Sequence, residues 1–167
     1  MKKLLCPAAL MIGIYFAKTA VYSSQQLPLS NYEGNHTCES TEVYSPKSVE
    51  ELQAIVKKAR LENKKIMTGS EKFASQLDAA CADKGAIQIT LKHINKLIEI
   101  NKEEMTVTAQ AGLRFNELNT LLDKEQLAIN MVTELNIFTL GGMLGSGTHG
   151  SNLVKKSALI ADYVTEM

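Results

Sequence analysis

Thr139-Leu140-Gly141-Gly142-Met143-Leu144-Gly145-Ser146-Gly147-Thr148-His149-Gly150-Ser151 gathers five of the chain's ten glycines, Gly141, Gly142, Gly145, Gly147 and Gly150, into one ten-residue window. Clustered glycines let backbone approach a ligand closely. They also admit positive φ, which turns successive N–H groups inward as a nest for an anion. Ser146, Thr148 and Ser151 add hydroxyl donors at the same place. A phosphate or pyrophosphate fits this chemistry, because many neutral donors satisfy its charge without a basic cluster. The competing reading is a turning loop that holds no ligand. Gly145 to Gly150 formally matches G-x-G-x-x-G, but a dinucleotide fingerprint needs a strand before it and a helix and second strand after it. Only 17 residues follow Gly150, fewer than the second half of a β-α-β unit of about 30 residues requires. No Gly-Lys-Ser/Thr occurs, so a Walker loop is excluded.

Upstream of the cluster, helices and strands interleave. Ser48 and Glu51 form a capping-box pair, and Val49, Leu52, Ile55, Val56 and Ala59 recur on one face, predicting a helix from about Val49 to Glu62. A short strand is expected over Ile66 to Thr68, ending at Gly69. Ala86 to Leu91 alternates, with Ile87, Ile89 and Leu91 on one face. Leu97 to Ile100 and Met105 to Ala109 flank the polar Asn101-Lys102-Glu103-Glu104, which predicts a hairpin. Phe115, Leu118, Leu121 and Leu122 mark an amphipathic helix ending near Gln126. Leu127 to Asn130 reads as a brief strand, and Asp162 to Met167 as the start of another. The long regular rhythm of a doubly wound sheet is missing, so the expected class is α+β.

The whole chain has 167 residues, 18 Lys+Arg against 18 Asp+Glu, and three cysteines. A net charge of zero gives no electrostatic case for nucleic acid. Three cysteines without a CxxC exclude a four-ligand zinc site, and no metal constellation is visible; His36 and His93 lie apart from the glycine cluster. Met1-Lys2-Lys3, the apolar Leu4 to Ala17 and the small residues up to Ser24 are the three parts of a secretory signal. As a helix, those fourteen apolar residues would reach ~21 Å, short of a hydrocarbon core of ~30 Å. Residues 1–23 are therefore expected to be a cleaved signal that sends the chain to the periplasm or outside; an uncleaved membrane anchor is the alternative. The mature remainder would be mildly acidic and retain Cys38 and Cys81, whose pairing in an oxidising compartment stays open. Residues 24–43 are polar and aperiodic, an extended lead-in. Asn35-His36-Thr37 matches a glycosylation sequon.

From Tyr44 onward the ordered set of motifs carries a family resemblance. Tyr44-x-Pro46-x-Ser48-Val49-Glu50-Glu51-Leu52 is followed by Thr68-Gly69-Ser70-Glu71-Lys72-Phe73-Ala74-Ser75, then by Ile87 to Leu91 with Ile94-Asn95-Lys96-Leu97. Met105 to Gly112, Glu117-Leu118, Thr139-x-Gly141-Gly142 and Thr148-His149-Gly150-Ser151 complete the order. The set resembles the FAD-binding PCMH-type domain, also called the vanillyl-alcohol oxidase type, over roughly residues 40 to 167. The His-Gly-Ser ending resembles the aldonolactone oxidase branch. The resemblance implies two small α/β subdomains within residues 44–167, the second incomplete, with the substrate domain absent.

It also implies two contacts with FAD. Thr68, Gly69, Ser70, Glu71, Lys72, Phe73 and Ser75 would form a first loop around the pyrophosphate. Thr139, Gly141, Gly142, Gly145, Ser146, Thr148, His149, Gly150 and Ser151 would form a second, running along the pyrophosphate and ribityl chain. Many relatives carry His-Ser in the first loop, where the His joins the flavin covalently. Lys72-Phe73 stand there in this sequence, so non-covalent FAD is expected. Lys72 would contact a phosphate or remain an exposed lysine, and Glu71 beside an anion is an electrostatic objection. His149 would hydrogen-bond the cofactor or only pack its loop. In the family, FAD takes a hydride from a carbinol carbon of a sugar lactone or polyol and oxygen commonly reoxidises it. Catalytic residues come largely from the absent domain, so none is named. A non-catalytic exported binding module that keeps the glycine-rich loops is the alternative function.

Overall fold

The computed structural model describes residues 31, 33–35, 42–69, 82–131, 133–151 and 159–167. Residues 1–23, Cys38, Cys81 and Ser70 to Ser75 lie outside the described residues.

The first half is a parallel sheet of three short strands, β1 (Glu42–Tyr44), β2 (Ile66–Thr68) and β3 (Ile87–Ile89), in the order β1-β3-β2. Register is regular, with Tyr44 and Thr68 both opposite Ile89. Helix α1 (Val49–Leu61) connects β1 to β2. It starts where the sequence says it should. The Ser48 hydroxyl accepts from the Glu51 N–H at 3.2 Å, while the Glu51 carboxylate reaches back to the Lys47 N–H at 2.8 Å. Acids in its first turn and Lys58 and Arg60 in its last complement the helix dipole. Its inner face delivers Ile55 and Ala59 to a core with Tyr44, Ile87 and Ile89. Val49 and Val56, expected on that face, are instead 46% and 44% exposed; three-residue strands offer too narrow a sheet to cover the full apolar stripe.

The central strand β3 is buried on both sides, not on one alternating face. Gln88 is wholly buried, and its Oε1 accepts from the Ala82 N–H at 3.4 Å. At the amino ends of the strands an ionic cluster closes the sheet. Glu42 accepts from Lys58 Nζ at 2.8 Å, from the Tyr44 hydroxyl at 2.6 Å and from Lys64. Lys58 Nζ also donates to the Tyr44 hydroxyl at 2.6 Å and lies 5.1 Å from its ring centroid. Lys58 first, then Lys64 and Tyr44, hold the Glu42 carboxyl down at about 2. The Glu42 carboxylate chiefly raises Lys58, and burial chiefly raises Tyr44.

The second half begins with the predicted hairpin, β4 (Leu97–Asn101) and β5 (Thr106–Ala109), antiparallel with a register shift between Leu97 and Glu99. The Asn101 side chain accepts from the Glu103 and Glu104 N–H groups and sets the turn. Met105 sits in that turn at φ 54°, 70% exposed, so it does not join Val107 and Ala109 on the inner face. Helix α2 (Phe115–Lys124) packs Leu118 and Leu122 against the hairpin and Phe115 against a second cluster of Met131, Met143 and Ile160.

Two expected strands are corrected. The Leu127 N–H bonds back to Leu122 O at 2.9 Å and ends α2, after which Leu127 and Ile129 serve only as apolar plugs, with no strand assigned. Ile160–Tyr163 is a 3₁₀ turn, and 164–167 is not a strand. The bond from Val164 N–H to Ala161 O winds this segment, and Ile160 is drawn into the second cluster. Interleaved helices and mixed parallel and antiparallel pairing make the fold α+β.

Candidate flavin-binding site

The first expected contact leaves the carboxyl end of β2. Thr68 is exposed and Gly69 half-buried, with the Gly69 N–H donating to Ile89 O at 3.1 Å. Beside it, the Thr90 N–H donates to Tyr44 O at 2.8 Å, and Ser45 Oγ lies 3.5 Å from Thr90 Oγ1. Ligands of open parallel sheets bind outside the carboxyl ends of the strands, and Gly69 opens on that edge. Ser70, Glu71, Lys72, Phe73 and Ser75 lie outside the described residues.

The glycine cluster is not the loop that its composition predicts. Leu140–Gly145 forms a short helix, α3, although three of its six residues are glycine. Thr139 is its N-cap, with Oγ1 accepting from the Gly142 N–H at 3.2 Å. The other first-turn amides are also used. Leu140 donates to Leu113 O at 2.9 Å, Gly141 to Ala111 O at 2.8 Å and Met143 to Thr139 O at 2.9 Å. A nest of inward amides therefore does not occur here, because neighbouring carbonyls and the cap consume them. Within this segment only Gly147 is recorded at positive φ, 64°. The apparent G-x-G-x-x-G starts at the end of a helix, the reverse of a dinucleotide fold.

The glycines divide by cause. Gly147 serves backbone conformation. A Cβ at Gly141 would stand 3.1 Å from Ala111 Cβ, so one side or the other would have to give by a few tenths of an ångström; one at Gly142 would stand 3.0 Å from Thr139 Oγ1. Gly145 is different: a Cβ there meets nothing within 4 Å. The exposed Gly142, Gly145, Ser146 and Gly147 give a low surface without side-chain bulk. Ser146 Oγ donates to Gly142 O at 2.8 Å and lies 2.9 Å from Thr148 Oγ1. Turning the Thr148 hydroxyl outward would free a donor for a phosphate. This surface fits the pyrophosphate and ribityl part of a flavin dinucleotide; Gly142, Gly145, Ser146 and Thr148 would hold it.

His149 is exposed and pairs as an antiparallel bridge with Leu159, which makes it part of the segment's closure. Gly150 is half-buried and Ser151 exposed. Among the described residues no group of three or more His, Cys, Asp or Glu is placed to hold a metal, and no helix is long and apolar enough to cross a membrane.

One residue that composition did not single out makes a very close backbone approach between the two regions. A Cβ at Gly112 would fall 2.0 Å from Leu91 O and 2.5 Å from Ile94 O, an impossible overlap. Its N–H donates to Ile94 O at 2.9 Å. Gly112 thus locks the backbone following β3 against the segment that carries α3. A lone glycine before a helix gives no sign of such an approach.

Mouse (Mus musculus) L-gulonolactone oxidase is 30% identical over 148 residues, covering 88% of this chain and 32% of that protein. Arabidopsis thaliana L-gulonolactone oxidase 2 is 27% identical over 177 residues, covering 94% and 30%. The chain thus spans about a third of the length of these relatives. The crystal structure of cholesterol oxidase from B. sterolicum superposes with a TM-score of 0.67 at 19% identity, over 90% of this chain and 27% of that one; the likeness is one of fold. Residues 41–167 match the FAD binding domain family, so the chain belongs to that family, the PCMH-type FAD-binding fold of flavin oxidoreductases.

Proposed function

We propose that this chain supplies the FAD-holding portion of an oxidoreductase that oxidises a hydroxyl of a sugar lactone or polyol, with oxygen as the acceptor. FAD is held non-covalently, no metal takes part, and the chain acts after export, its leading residues having served as a signal. The observation that carries the reading is the low, exposed face of α3 around Gly145, a glycine that the chain's own packing does not require. Similarity to gulonolactone oxidases supports the choice of substrate class.

When bound, FAD supplies an acceptor for the substrate's hydride. This chain's residues contribute position. Gly69, at the carboxyl edge of the parallel sheet, would contact the pyrophosphate. The α3 surface lets the dinucleotide lie close to backbone, and Thr148 donates a hydrogen bond. Binding of the sugar and proton abstraction are assigned to no described residue of this chain.

Incubating the purified chain with FAD and recording the visible absorption spectrum tests the reading. A red-shifted, structured flavin band that survives gel filtration is expected, and acid should release all flavin into the supernatant. A flavin-labelled peptide from residues 69–75 would refute non-covalent attachment. A folded chain that takes up no FAD would instead be the non-catalytic module.

A further inference from the structure

We infer that Ala111 and Gly112 form a seat that fixes the height of helix α3, and that Gly141 lacks a side chain because of this seat and not because of the cofactor. The inference deepens the FAD reading and rests on it for its effect on binding.

Residues 111–115 and 138–141 run side by side. Gly141 N–H donates to Ala111 O, Leu140 N–H to Leu113 O, and Phe115 N–H to Phe138 O at 2.9 Å, with Arg114 and Thr139 paired between them. From behind, Gly112 is clamped by Leu91 O and Ile94 O, which leave no room for even one methyl group. The seat therefore has no freedom to retreat. On its α3 side the nearest atom to Gly141 is the Ala111 methyl, 3.1 Å from where a Gly141 Cβ would stand, with Ala111 O at 3.3 Å. Adding an atom at 141 must lift α3 by a few tenths of an ångström, and with it Gly142, Gly145 and Ser146. Ala111 thereby acts through α3 as a positioning residue for the surface on which the dinucleotide lies. Gly145 has no such internal reason, so the two glycines of one short helix answer to different partners.

The size relation makes a rescue test possible with the full chain. Wild type, Ala111→Gly, Gly141→Ala and the double variant are compared for FAD affinity by absorption titration and for thermal midpoint. Gly141→Ala is expected to weaken FAD by about tenfold, a coupling of the size neighbouring residues show. The double variant should return to within about threefold of Ala111→Gly, because the methyl that opposed the new Cβ is gone. The midpoints should show coupling of the same sign. If Gly141→Ala fails to fold and the double variant folds, the seat is equally supported; failure of both overturns it. Additive losses of affinity would mean that Gly141 touches the cofactor directly, and the inference falls. If even wild type takes up no FAD, the functional reading fails separately. The midpoints then decide the seat alone, additivity overturning it.

Discussion

The two halves of this chain build their candidate cofactor contacts in opposite ways. In the first, the candidate contact is the carboxyl edge of a regular structure: three parallel strands end together, and Gly69 continues from one of them. Its core is a single cluster centred on Ile87 and Ile89, and the far edge is closed by ions around Glu42. In the second, the contact is a helix that its own composition opposes, held in place by borrowed carbonyls of Ala111 and Leu113. Geometry in the first half follows from secondary structure, and in the second from tertiary bonds. Between them Gly112 packs its backbone closely on Leu91 and Ile94, and the variants below ask how far the two can be separated.

The largest effect should come from either core. Ile87→Ala and Phe115→Ala, both fully buried, should each cost about 4 kcal/mol in urea unfolding. If Gly112 makes the halves one cooperative unit, each variant will weaken amide-exchange protection in α1 and α2 alike. Protection lost only in the mutated half would break the comparison into two independent modules. Gly112→Ala should cost about 3 kcal/mol and be the variant that separates the halves, with exchange in α2 and α1 no longer changing together.

Glu42→Gln should cost about 1 kcal/mol, since its partners are charged but the cluster borders solvent. The pH dependence has a definite sign. Glu42 is depressed from 4.5 to about 2 in the folded chain, so its stabilisation is complete above the unfolded value and disappears as pH falls through the folded one. The stability gap between wild type and Glu42→Gln should be constant above pH ~5 and close toward pH ~2. A gap that stays open in acid would remove the ionic cluster as its cause.

The smallest effect carries the most information about the site. Gly145→Ala should stabilise the chain by about 0.5–1 kcal/mol, because Ala is the better helix former and meets no neighbour. The same variant should weaken FAD binding. Opposite signs would show that this glycine serves the ligand. A gain in stability with unchanged affinity would make α3 a purely structural turn.

Local signals accounted for most of the first half and the hairpin. Ser48 with Glu51 and the spacing of Ile55 and Ala59 marked α1, and the polar run after Asn101 marked the turn, since those features act between residues close in sequence. Distant contacts were not legible. Glu42 meets Lys64 across 22 residues, and Gly112 meets Leu91 through bare backbone; neither leaves a pattern. The glycine cluster was located correctly as an unusual segment, yet its conformation was not. Propensity scores three glycines in six residues as loop, and only carbonyls some thirty positions earlier make them helical. Leu127 to Asn130 misled for the converse reason: its apolar residues face two clusters, with no strand to pair.

The borrowed bonds of α3 also fix an order in time. A six-residue helix half made of glycine lies far below the length at which a helix holds in water. It cannot form until the carbonyls of residues 111 and 113 are already in place, which needs the hairpin and α2 to have docked. Those residues leave the ribosome before Leu140 does. The α3 surface therefore depends on the placement of residues 111 and 113, and loss of that placement should be felt at α3 without any change in its own sequence.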